Sequence, residues 1–124
     1  MSKSNKDIVL EVLKRTFIDR DPTAVEEYFD ANYKQHNPVI PDGPEAIARM
    51  IPTLTGLTYE PGMAVSEGDL VMVHGRYVGW GPKPLIAVDI FRLKDGKLVE
   101  HWDVMQEEVL AADTASGNAM FKKA

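Results

Sequence analysis

Apolar residues recur at three- and four-residue spacing near the start of the chain. Ile8, Val9, Val12, Leu13, Phe17 and Ile18 form one stripe and predict a first helix. Ser4 or Asn5 is placed to cap it, with Asp7 near its positive end. Asp19-Arg20-Asp21-Pro22 interrupts the pattern. A short second helix then follows, with Pro22 at its first position and Ala24, Val25, Tyr28 and Phe29 facing the core. Pro38 to Pro44 reads as a rigid loop. Glu45 to about Leu54 reads as a third helix, bent or stopped by Pro52.

From Leu57 the pattern becomes β-rich. Segments 57–65, 69–80, 85–93 and 97–107 are separated by Ser66-Glu67-Gly68, Gly81-Pro82-Lys83-Pro84 and Asp95-Gly96, all turn sequences. Pro61 assigns the first segment to an edge or a bulge. Helices followed by a meander predict an α+β fold, with N-terminal helices packed on one face of a curved antiparallel sheet. No repeat or linker divides residues 1–124, which read as one domain.

Composition narrows the function classes. The net charge of −5, without a Lys/Arg cluster to offset it, argues against nucleic acid. The absence of cysteine excludes disulfides, thiolate metal sites and a cysteine nucleophile. The first apolar run is short and interrupted by charges, so neither a signal peptide nor a membrane span is read, and a cytoplasmic protein is expected.

The candidate chemistry lies in three histidines and a carboxylate. They occur in Tyr33-Lys34-Gln35-His36-Asn37-Pro38, Val73-His74-Gly75-Arg76-Tyr77, Asp89-Ile90-Phe91-Arg92 and Glu100-His101-Trp102-Asp103. Asp89 interrupts an apolar strand, where a carboxylate is costly unless paired or protonated. Hairpin register decides what it meets. A two-residue Asp95-Gly96 turn pairs Lys94 with Lys97 and sets Asp89 opposite Trp102. A three-residue bulged turn sets Asp89 opposite His101 and gathers the titratable groups on one face; this arrangement is preferred. In the preceding hairpin, a loop of even length puts His74 and Arg76 on the face of Asp89, whereas an odd one brings Gly75 and Tyr77 there; the even loop is preferred. His101 and Asp103 share a face in either case. Neither His-x-x-x-His nor cysteine supports a metal, so none is expected. Trp80 and Trp102 fit packing roles, and Trp80 is also a candidate substrate contact.

The quoted segments, together with Glu67 to His74, the continuous run Asp89 to Gln106 and the ending Gly117-Asn118-Ala119-Met120-Phe121, resemble the SnoaL-like polyketide cyclases of the nuclear-transport-factor-2-like superfamily. The resemblance implies a cone-shaped α+β barrel enclosing a deep pocket, and a homodimer through the outer sheet face. It matches Asp89 to the family's acid–base aspartate and His74 to its partner histidine, with His36 and Asn37 among further pocket groups. Asp89 also falls where ketosteroid isomerases carry an oxyanion-hole aspartic acid. The family's cyclases perform an aldol condensation without metal or organic cofactor.

The combined expectation is a cofactor-free acid–base enzyme acting on a small carbonyl compound by cyclase-like or isomerase-like proton abstraction. Asp89, His74 and His36 are the catalytic candidates, and Tyr33, Asn37, Trp80, His101 and Asp103 the substrate-binding ones. Water activation, as in a hydratase or epoxide hydrolase, and a non-catalytic module that binds an apolar ligand or a protein are the alternatives.

Overall fold

The computed structural model describes residues 3–123. Helix α1 (Asn5–Leu13) is capped by Ser4, whose Oγ accepts the Asp7 N–H at 3.1 Å. It continues into one wide π-helical turn, Lys14–Ile18, closed by the Asp19 N–H on the Lys14 carbonyl. The sequence explains the widening. Val9, Leu13 and Phe17 are spaced by four, which drifts about 40° per step on a 3.6-residue helix. A turn with bonds to the fifth residue brings Phe17 back to the core side. It also buries Thr16 and leaves Ile18 outside at 44% exposure, although the apolar stripe predicts Ile18 inside.

Helix α2 (Thr23–Tyr28) starts beside Asp21, whose Oδ1 accepts the Thr23 N–H at 3.0 Å. The chain then enters β1 (Phe29–Gln35), a strand that the apolar pattern does not announce. Helix α3 (Pro44–Met50) passes into a 3-10 turn, Ile51–Thr53, where Pro52 ends regular helix as expected. The remaining strands are β2 (Thr58–Glu67), β3 (Leu70–Val78), β4 (Leu85–Lys94) and β5 (Lys97–Glu107).

The five strands form one open sheet in the order β1-β5-β4-β3-β2. Strand β1 runs parallel to β5 and the other neighbours are antiparallel, so the sheet is mixed rather than purely antiparallel. Strand β2 is an edge with a bulge between Pro61 and Ala64, consistent with the proline. The helices cover one sheet face, where Val9, Val12, Leu13, Ile51, Val71, Val73 and Leu98 are at most 2% exposed. No described helix is long and apolar enough to cross a membrane.

Both undecided registers resolve in the structure. Asp95 and Gly96 have φ of 52° and 77°, the left-handed pair that a tight two-residue hairpin requires, and Lys94 pairs with Lys97. The preferred three-residue turn is therefore not formed. A bulge follows at once: Leu93 pairs with Leu98 but Arg92 with Glu100, leaving Val99 as the extra residue. That insertion restores the predicted parity, so Asp89 lies opposite Asp103 and on the face of His101. In the preceding hairpin Tyr77 pairs with Leu85, an odd loop of seven residues, Val78 to Pro84. Gly75 and Tyr77 therefore share the face of Asp89. His74 and Arg76 point to the other, contrary to the preferred reading.

Candidate functional site

Asp89 sits in mid-sheet between Val73 on β3 and Asp103 on β5. It is 3% exposed, so its carboxyl survives burial only through its partners. Tyr77 donates its O–H to Oδ2 at 2.7 Å, and His101 Nε2 lies 2.8 Å from Oδ1. Burial first, and the Asp89 charge second, push the Tyr77 phenol far above its ordinary range, so it remains a donor.

Gln35 determines where the His101 protons sit. Its Oε1 accepts the Asn37 backbone N–H at 3.0 Å, which fixes the orientation of the amide. The same oxygen lies 2.6 Å from His101 Nδ1. Nδ1 must therefore carry a proton. A bare Nε2 facing a bare carboxylate oxygen at 2.8 Å would set two lone pairs against each other, so one proton is shared between His101 and Asp89. The Gln35 Nε2 donates to the Tyr33 hydroxyl oxygen at 3.3 Å. The proton of Tyr33 has no acceptor among the described residues. Burial, then the Asp89 charge, raises this phenol as well and keeps that proton in place.

Asp103 completes the group. Asn37 Nδ2 donates to its Oδ2 at 2.7 Å, and His101 Nε2 lies 3.9 Å from the same atom. Its Oδ1 has no hydrogen-bond partner among the described residues. Burial raises the carboxyl above its ordinary 3.8; the Asn37 donor and the His101 charge oppose the rise, and the Asp89 charge adds to it. Asp89, His101 and Asp103 bring three ligand atoms within 4.8 Å of one another, a spacing that a divalent cation can bridge once the His101–Asp89 contact opens.

These groups meet in a narrow slot of about 450 Å³ of empty space, mouth included. Tyr33, Gln35, Trp80, Asp89, His101 and Asp103 line it among apolar and aromatic side chains. Among the described residues, no lysine or arginine lines it.

The structure separates the sequence candidates into two faces. Asp89, Tyr33, Trp80, His101 and Asp103 line the slot, and Asn37 braces Asp103 from behind. His36 lies on the outer face, stacked on Trp102 at 4.9 Å with Nε2 2.7 Å from Glu100. His74 also faces outward, under the Phe121 ring of the C-terminal tail at 5.8 Å. The expected Asp89–His74 pair does not form, because the seven-residue loop reverses the parity of β3. Sequence reasoning missed Gln35 and Tyr77. Gln35 alternates with Tyr33 on a strand that the apolar pattern does not announce, and Tyr77 reaches Asp89 only in the odd-loop register.

The SnoaL-like domain family matches residues 9–101. The chain belongs to that family. Solved structures agree on the fold. TsrD from Streptomyces laurentii is 19% identical, with a TM-score of 0.69 over 86% of this chain and 91% of that one. An NTF2-like protein of unknown function from Cytophaga hutchinsonii is 17% identical, with a TM-score of 0.74 over 86% and 93%. A proposed polyketide cyclase from Sinorhizobium meliloti is 22% identical, with a TM-score of 0.69 over 79% and 94%. At these identities the likeness establishes the NTF2-like fold of this SnoaL-like domain and not its substrate. No curated protein matches the chain.

Proposed function

We propose that this SnoaL-like domain catalyses cofactor-independent proton transfer at a carbon α to a carbonyl in a small neutral molecule. The supporting observation is the convergence of two carboxylates and one imidazole on an apolar slot, with Asp103 Oδ1 and the Tyr33 proton both unused. The sequence alone favours Asp89 as the base, but both of its oxygens are engaged by Tyr77 and His101. Asp103 is the better base. Its free Oδ1 removes the α-proton, and burial makes it more basic than an exposed aspartate. The Tyr33 O–H donates to the enolate oxygen as charge develops there. The proton shared by His101 and Asp89 lies beside Asp103 and offsets its negative charge. Returning the proton to another carbon gives an isomerase; attack of the enolate on a second carbonyl of the same molecule gives a cyclase. Among the described residues the lining carries two carboxylates and no lysine or arginine, which favours a neutral ligand over an anion.

Deuterium exchange at the α-carbons of a panel of ketones and β-keto esters tests the reading. Wild type should exceed Asp103→Asn by at least about 100-fold, the usual contribution of a positioned base. Equal exchange by the two proteins would refute it.

For the outer face, we propose pairing with a second copy. Val65, Met72 and Val104 are 62%, 39% and 68% exposed there, an apolar area of the kind that homodimers bury. Light scattering should show a dimer that Val104→Lys dissociates; a wild-type monomer at micromolar concentration removes the proposal.

A further inference from the structure

The slot contains polar groups that the proton-transfer chemistry leaves unused. Thr16 is 2% exposed, and its Oγ1 has no hydrogen-bond partner among the described residues. Trp80 Nε1 is likewise buried and unpartnered. Both residues line the same cavity as Asp89 and Asp103. Buried hydroxyl and indole N–H groups normally find a partner, so two orphans in one cavity need an explanation. Thr16 makes the point most clearly. A helical threonine ordinarily satisfies its hydroxyl on the carbonyl four residues back, here Val12, and Thr16 does not do so. It sits instead in the π-helical turn that carries it to the wall of the slot.

The position of these groups relative to the acid–base cluster follows from the aromatic contacts. Tyr77 touches Asp89 with its hydroxyl, while its ring lies 6.1 Å from Trp80 and 5.2 Å from Phe17. Phe17 is the neighbour of Thr16 in the chain and lies 6.2 Å from Trp80. Trp80 thus lies one aromatic ring away from Asp89, and Thr16 lines the same slot from the helical turn that carries Phe17. The indole N–H can only donate, and the threonine hydroxyl is free to donate. Both therefore call for an oxygen acceptor. With no lysine or arginine in the lining, that oxygen belongs to a neutral group such as a ketone, ether or hydroxyl rather than a carboxylate.

We infer that Thr16 and Trp80 form a second polar subsite, and that the substrate is a neutral, flat molecule with two oxygens. One is the carbonyl at Tyr33 and Asp103, and the other is an acceptor about one ring away at Thr16 and Trp80. The inference rests on the carbonyl reading of the Asp103 end.

Acetophenone and its 3- and 4-methoxy derivatives test it, with ethylbenzene as the probe that has no oxygen. Binding to the intact chain is measured by calorimetry. Wild type should bind one methoxyacetophenone about tenfold more tightly than acetophenone, the 1.4 kcal/mol expected of one good hydrogen bond. Thr16→Val and Trp80→Phe should each reduce that advantage to about twofold or less, and Thr16→Val should leave acetophenone affinity within about twofold. Thr16→Val should also melt no lower than wild type, because it deletes a hydroxyl that makes no bond; a clear loss of melting temperature would give Thr16 a structural role and overturn the inference. Equal binding of acetophenone and both methoxy compounds overturns the subsite alone. If acetophenone binds no better than ethylbenzene, the carbonyl reading falls, and the subsite inference with it.

Discussion

Replacing Gln35 with glutamate tests the site because it keeps the shape and reverses one hydrogen bond. Gln35 Oε1 accepts from His101 Nδ1 at 2.6 Å and from the Asn37 N–H at 3.0 Å. A glutamate oxygen accepts both in the same way. Its second oxygen replaces the Nε2 group that now donates to Tyr33 at 3.3 Å. A carboxylate has no proton to give, so Tyr33 must turn its own O–H toward residue 35. The proton proposed to meet the enolate is thereby withdrawn from the slot. Loss of one oxyanion donor lowers kcat by about 100- to 1000-fold, roughly 2.7–4 kcal/mol of transition-state stabilisation.

The assay is α-carbon deuterium exchange followed by NMR, with Tyr33→Phe and the double variant measured alongside. If Gln35→Glu acts by diverting the Tyr33 proton, the two single losses are equal and the double variant is no worse than either. Nitrogen-15 NMR of the His101 ring should still show a protonated Nδ1 in Gln35→Glu, and should lose it in Gln35→Leu. Full exchange activity in Gln35→Glu, or losses that multiply in the double variant, would show that Tyr33 is not the donor.

Four further outcomes follow from the geometry. Burial raises Asp103 above 3.8, so the folded state holds its proton more tightly than the unfolded chain. Its contribution to stability is complete below about pH 4 and is lost as pH rises through the folded-state value; Asp103→Asn should therefore gain in melting temperature relative to wild type across that rise. The acid limb of the exchange rate should follow the same ionisation and move to higher pH in Asn37→Ala, which lacks the donor that favours the carboxylate; a limb that stays in place would dissociate Asp103 from the rate. Tyr77→Phe removes the 2.7 Å bond to Asp89 and should cost about 1.5–3 kcal/mol, or roughly 6–12 °C in a chain of this size, by thermal melting. His74→Leu should leave exchange within about twofold of wild type, since His74 faces away from Asp89; a loss of 100-fold would contradict the placement of the site on the inner face.

The helices and the four-strand meander were legible because their periods are long and their turns carry glycine, proline or Asp-Gly. Strand β1 was not. Phe29-Asp30-Ala31-Asn32-Tyr33-Lys34-Gln35 contains one β-branched or aromatic residue at each end of a polar middle, and only Phe29 and Tyr33 are buried. Its strand state comes from parallel pairing with β5, a partner more than 60 residues away, which no local pattern encodes. Gln35 was lost with it, and so was the group that fixes the His101 protons.

The two histidine assignments show how much depends on single insertions. His74 and His101 lie on strands adjoining β4, one on each side. The seven-residue loop between β3 and β4 turned His74 outward, whereas Val99, bulged out of β5, turned His101 inward. A two-residue hairpin without that bulge would have placed Trp102 opposite Asp89 and left the carboxylate with Tyr77 alone. Leaving a buried carboxylate short of one charge-assisted bond costs about 1.5–3 kcal/mol, so the bulge is favoured by the very cluster it creates. The turn sequence Asp95-Gly96 specifies the tight hairpin, but the burial of Asp89 specifies the face, and the chain satisfies both only by inserting one residue between them.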